Sequence, residues 1–134
     1  RSRPAALKDP LSIYAFFRKL WKSMHERYAY VNDQPHDEKS PFADLDASFL
    51  LANRHGLFGV SSNMEVTQYR HYHAIGCACD YAYGALHSLY DRPLKAGAVA
   101  RGAVAAAIHF DVNCGGAIEL MTLKSGRAAR SRKR

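Results

Sequence analysis

The chain has 134 residues, of which 48% are hydrophobic, and carries a formal net charge of +7 at neutral pH. Length and composition suit one ordinary globular core, and the longest unbroken apolar run, Ala103 to Ile108, is far shorter than the roughly 20 residues a membrane helix needs. No apolar stretch behind the opening Arg-Ser-Arg-Pro resembles a secretion signal, and three cysteines, Cys77, Cys79 and Cys114, are an odd number. Reduced thiols in a cytoplasmic setting are therefore expected rather than a disulfide framework.

Asp9-Pro10 reads as a helix start, the Asp side chain accepting orphan amide bonds and the Pro occupying the first turn, where its missing N–H costs nothing. Ile13, Phe17, Leu20, Met24, Tyr28 and Val31 recur at three- and four-residue spacing, while Lys19, Lys22 and Glu26 fall largely elsewhere, so one face is expected to meet a core. Trp21 widens that face. From Asn32 to Asp46 the chain turns polar and acidic, and Pro35 and Pro41 remove amide donors, which predicts a surface loop.

Three strands in meander order are expected next. Ala47 to Ala52 reads as a short buried strand, Arg54-His55-Gly56 as a turn, Leu57 to Ser61 as its antiparallel mate, and Ser62-Asn63 as a second turn. The third, Glu65 to His73, has no purely apolar face and is predicted to line a sheet edge or a cleft. A helix over Asp80 to Tyr90 follows. Pro93 separates it from an alanine-rich helix over Leu94 to Asn113, which Gly115-Gly116 is expected to stop. Ile118 to Leu123 alternates as a final strand.

The excess positive charge is unevenly spread. Six of the eleven residues from Lys124 to Arg134 are basic, so positions 124–134 read as a disordered basic tail behind one domain over 1–123. Such a tail supports weak nonspecific attraction to nucleic acid, which keeps a basic nucleic-acid-binding protein among the alternatives. His71, His73, Cys77 and Cys79 fall within nine residues, but adjacent C-x-C and H-x-H pairs lack the downstream second pair of structural zinc sites. Ordinary buried thiols are expected there. His87 and His109 read as packed or surface imidazoles, and the tyrosines as sheet-helix packing groups rather than a stacking platform.

The order of these elements, with Ala74-Ile75-Gly76-Cys77-Ala78, Tyr81-Ala82-Tyr83-Gly84-Ala85-Leu86 and the Asp111 to Gly116 loop, resembles the C-terminal half of a proteasome β-type or HslV-like subunit. These are N-terminal-nucleophile hydrolases. The resemblance runs from about Leu7 to Leu123 and implies an α+β fold, an antiparallel sheet with helices packed on it, forming part of an αββα sandwich. Gly76-Cys77-Ala78 stands where the family has a Gly-Ser-Gly-like segment. Asp111, Cys114 and Gly115-Gly116 map onto an Asp-x-x-Ser-Gly-Gly-like loop, with cysteine in place of serine.

In that family a threonine hydroxyl attacks the amide bond after the chain's own α-amine takes its proton. The resemblance gives supporting catalytic roles to Asp111, Cys77 and Cys114, the carboxylate orienting the amine or a neighbouring hydroxyl and the cysteines lining the pocket. It implies that the nucleophile, the activating lysine and the oxyanion-binding amide belong to an absent first half, since Arg1 cannot attack and Ser2 lies one residue inside the terminus. The 134 residues alone are then expected to be inactive.

No cofactor is required by this reading. Some relatives hold a structural monovalent or divalent cation on backbone carbonyls at a helix end, which corresponds here to Ile108, Asp111 and Cys114. The partners implied are copies of the same chain in a ring, a peptide or protein substrate and, in some relatives, an ATPase; no membrane is involved. Because cysteines replace the expected serines, a catalytically inactive structural or assembly subunit is the alternative within the same architecture.

Overall fold

A computed structural model describes residues 7–27 and 47–123. The expected loop over 32–46, the end of the first helix at Tyr28 and Val31, and the basic tail lie outside the described residues. The described chain is α+β, with three helices and one three-stranded antiparallel sheet, in two compact units divided after Arg70.

In the first unit, helix α1 spans Pro10–Arg27. Its start is closed reciprocally. The Asp9 carboxylate accepts the Ser12 N–H at 2.8 Å, and the Ser12 hydroxyl oxygen accepts the Asp9 N–H at 3.2 Å, so two orphan donors are satisfied by two side chains. The Ser12 backbone hydrogen bond favours the ionised carboxylate and pulls the Asp9 pKa below its ordinary value. Lys22 and Glu26, one helical turn apart, approach to 3.8 Å on the exposed face, where such a pair contributes little.

The sheet is a meander of β1 (Phe49–Asn53), β2 (Gly56–Val60) and β3 (Val66–Tyr69). Arg54 and His55 alone join β1 to β2, and the Asn53 side-chain oxygen accepts the His55 N–H at 2.7 Å, which fixes the Asn53–Gly56 register. Ile13 and Phe17 of α1 are buried with Phe58 and Val60 of β2, and Leu20, Phe49, Leu51 and Val66 surround them. The helix face read from the three- and four-residue spacing is thus the face that meets the sheet. The Asn53 amide also donates to the Leu7 carbonyl at 2.6 Å, tying β1 to the chain entering α1.

The third strand ends earlier than the sequence suggests. Leu57 pairs with Tyr69 and β2 begins one residue before Leu57, so beyond Arg70 the ladder has run out of partner. In the second unit the following aromatic side chains pack on a helix instead. Tyr72 meets Tyr90 with ring centroids 5.1 Å apart, and His71 meets Tyr90 at 5.4 Å.

Helices α2 (Cys79–Tyr90) and α3 (Ala96–Phe110) make up most of the second unit. Ala82 and Leu86 are buried against Val99 and Ala103, with Tyr72, Ala85, Leu89 and Ala107 around them. Small residues let the helices approach: a Cβ added at Gly102 would stand 2.7 Å from the Leu89 Cδ1. Helix α3 is shorter at both ends than its apolar pattern. Lys95 is extended ahead of it, and Asp111 leaves the helical region at φ −116°, well before Gly115-Gly116.

The last expected strand is not formed. Residues 118–123 carry the alternation of a strand but pair with no other strand among the described residues, and Leu120 rests on Gly97, 3.0 Å from where a Cβ would stand. Period two marks a segment able to pair; it does not supply the neighbour. Among the described residues, no helix is long and apolar enough to cross a membrane.

Candidate functional site

The residues that matter sit at one end of the α2–α3 pair. Before α2 the chain makes a turn in which the Gly76 carbonyl accepts the Cys79 N–H at 3.2 Å. Gly76 has φ +113°, in the region L side chains rarely adopt, and a Cβ there would meet nothing within 4 Å. Glycine is therefore needed for conformation, not for space. The turn presents Cys77 to solvent.

After α3 a second turn is built on Asp111. Its N–H closes the helix on the Ala107 carbonyl at 3.0 Å, its carbonyl accepts the Cys114 N–H at 3.0 Å, and its Oδ1 accepts the Asn113 N–H at 2.8 Å. Three bonds hold one residue, so the carboxylate direction is set by the backbone. Ile108 lies half-buried on the last turn of α3. The Asp111 carbonyl, one of the three expected to bind a cation, keeps a second lone pair beyond the Cys114 N–H.

The two turns converge. The Cys77 and Cys114 sulfurs are 3.8 Å apart. With one Asp111 carboxylate oxygen, the three side-chain atoms all lie within 4.8 Å of one another, and Asp111 and Cys114 are half-buried. Desolvation pushes the Cys114 thiol pKa up, and the neighbouring Cys77 and Asp111 add to the shift. A protonated Cys114 lines a site well and attacks poorly, because the thiolate is the nucleophile.

The other sequence candidates lie elsewhere. His73 shares a hydrogen bond with the Tyr83 hydroxyl, and its Nδ1 is engaged there; His71 Nδ1 faces the Tyr90 hydroxyl at 3.4 Å. Cys79 opens α2 with its sulfur 3.8 Å from the Asp80 carboxylate. The expected buried thiols are not found, because the turn and helix start that carry them face outward: Cys77 is exposed and Cys79 only half-buried. Nothing in sequence spacing marked Cys77 and Cys114, 37 positions apart, as mutual contacts, and the His73–Tyr83 pair carried no motif at all.

Solved structures similar to this chain include two of one protein. One is Thiobacillus denitrificans BPH, with a TM-score of 0.74 and 28% identity, covering 87% of this chain and 60% of that one. The other is Thiobacillus denitrificans BPH in complex with epoxomicin, at a TM-score of 0.74 and 29% identity with the same coverage. The chain shares their fold. It spans 60% of the length of those chains. No protein-family model matches it, and no curated protein sequence matches it significantly.

The site offers a carboxylate acceptor of fixed direction and two sulfurs beside it, at the mouth of a helix pair. Such a set can receive an amine or hydroxyl N–H or O–H, or hold a cation.

Proposed function

We propose that this chain is the C-terminal part of a proteasome-like N-terminal-nucleophile hydrolase subunit, a threonine-type peptidase or amide hydrolase whose attacking residue lies outside these 134 positions. The observation that carries the reading is the fold shared with an epoxomicin complex, epoxomicin being a proteasome inhibitor.

In the assembled enzyme the nucleophile's α-amine takes the hydroxyl proton as the hydroxyl attacks the substrate carbonyl, then returns it to the leaving amine. Asp111 accepts a hydrogen bond from that amine or from a hydroxyl beside it, stabilising the positive charge the amine gains. Its direction, fixed by the Asn113 N–H, suits this role. Cys77 and Cys114 line the pocket, and the carbonyls of Ile108, Asp111 and Cys114 offer hard oxygen ligands for a structural cation. The subunit works in the cytoplasm as part of a homo-oligomeric ring. Val112 and Met121, 99% and 95% exposed, support a covering surface from another chain or segment.

A second reading is favoured by one observation, the thiols standing in the places of serines: a catalytically inactive structural or assembly subunit of the same architecture. One experiment separates the two. The complete protein is assayed for hydrolysis of fluorogenic peptides with and without epoxomicin. The peptidase reading expects turnover that epoxomicin abolishes. An assembled protein with no turnover, indifferent to epoxomicin, establishes the inactive subunit.

A further inference from the structure

Two sulfurs 3.8 Å apart with a carboxylate beside them are more than a lining. Zinc–thiolate bonds of about 2.3 Å at a tetrahedral centre place two sulfurs about 3.8 Å from each other. An oxidised pair would need that separation to shrink to about 2.0 Å. The sulfurs of Cys77 and Cys114 therefore already stand at the spacing of two ligands on one soft divalent ion. Among the described residues this is the one grouping of three side chains able to hold a metal.

We propose that Cys77, Asp111 and Cys114 form a side-chain binding site for a zinc-class divalent cation, closing the end of the α2–α3 pair. The site differs in chemistry and atoms from a hard-cation site on backbone carbonyls, because soft thiolates select zinc-class ions over magnesium or calcium. It does not depend on the peptidase reading, and a bound ion takes the carboxylate oxygen which that reading gives to the amine, so occupancy and turnover exclude one another.

Two features of the fold favour it. The Asn113 N–H holds Oδ1 of Asp111, leaving the other carboxylate oxygen for the ion and orienting it as an outer partner does in metal centres. Asp111 ends α3, where the helix dipole favours a cation.

On binding, each of the two thiols releases its proton to solvent, and two sulfur–metal bonds and one oxygen–metal bond replace bonds from the ion to hydration waters, which return to solvent. Three protein ligands leave the fourth tetrahedral position to water or to a group from another segment. The ion joins the turn before α2 to the turn after α3, so occupancy raises the unfolding temperature.

The test uses the complete protein, kept reduced, and the metals alone. Addition of Co2+ produces a thiolate-to-metal charge-transfer absorption that saturates at one equivalent and is displaced by Zn2+. Saturating Zn2+ slows iodoacetamide alkylation of Cys77 and Cys114 by roughly tenfold or more while leaving Cys79 unchanged, read peptide by peptide by mass spectrometry. C77A and C114A each abolish the absorption, whereas C79A retains it. The proposal is overturned if the reduced protein gives no charge-transfer band, if the band survives in C77A or C114A, or if Zn2+ leaves the alkylation of Cys77 and Cys114 unchanged. The alkylation measurement needs no variant, so it decides the matter even where a substitution prevents folding.

Discussion

His73 lies against Tyr83, and their hydrogen bond and edge-to-face contact, with ring centroids 5.6 Å apart, remove the imidazole partly from water. That desolvation lowers its pKa in the folded state. The unfolded chain takes up its proton near the ordinary value of about 6.5, the folded chain only at lower pH. The stability tied to a neutral His73 is thus fully present above about 6.5 and is lost as pH falls through the folded value. Thermal unfolding followed from pH 7.5 to pH 5 should show a fall in midpoint that is smaller in His73→Gln. An identical pH slope in that variant would assign the acid sensitivity to other groups.

At the same scale lies the carboxylate of Asp111, held by one N–H and leaning towards two thiols. Sequence identified all three side chains only through resemblance to a family, since 37 positions separate Cys77 from Cys114 and no spacing rule spans two turns that a whole helix pair separates along the chain. What the sequence does carry locally is the means of building each turn. Gly76 permits the positive φ before α2, and an Asx turn at Asp111 ends α3.

Among the elements, α2 and α3 meet through small residues, and two glycines in them have opposite meanings. A Cβ at Gly102 would come within 2.7 Å of Leu89, whereas at Gly84, on an exposed face of α2, it would touch nothing within 4 Å. Gly102→Val should therefore destabilise the chain by about 1–3 kcal/mol through overpacking. Gly84→Ala should stabilise it by roughly 0.5–1 kcal/mol, by removing the entropy a glycine loses in a helix. Chemical denaturation of both variants checks the pair, and equal effects of the two would contradict the packing described here.

Element existence was legible where a period met a partner. The face of Ile13 and Phe17 packs on Phe58 as three- and four-residue spacing predicts, and the turns at Arg54-His55 and Ser62-Asn63 lie where polar residues interrupt apolar runs. The failures share one cause. Residues 70–73 and 118–123 have strand-like patterns, but pairing needs a neighbouring backbone, and β2 has ended at Gly56 while Leu120 rests on α3. The start of α3 was misplaced because Leu94 looks apolar, yet its N–H turns back to the Arg92 carbonyl at 2.7 Å before the helix begins.

Among the described residues of the second unit, several large apolar side chains are exposed. Phe110, Val112 and Met121 are 62%, 99% and 95% exposed, a set of large side chains that water does not stabilise. A chain limited to these 134 residues is expected to self-associate at micromolar concentrations, measured by sedimentation velocity. A monodisperse, cooperatively folding monomer would argue against a covering partner or segment.

The reading of the molecule as one part of a proteasome-like hydrolase rests on a shared fold and on the convergence of Asp111 with Cys77 and Cys114. The most direct measurement is peptide hydrolysis by the complete protein and by its Asp111→Ala variant, with epoxomicin as inhibitor. The account predicts epoxomicin-sensitive turnover that falls by roughly a hundredfold in the variant, on the scale of losing a group that assists proton transfer. Turnover unchanged by the substitution and by epoxomicin would contradict it.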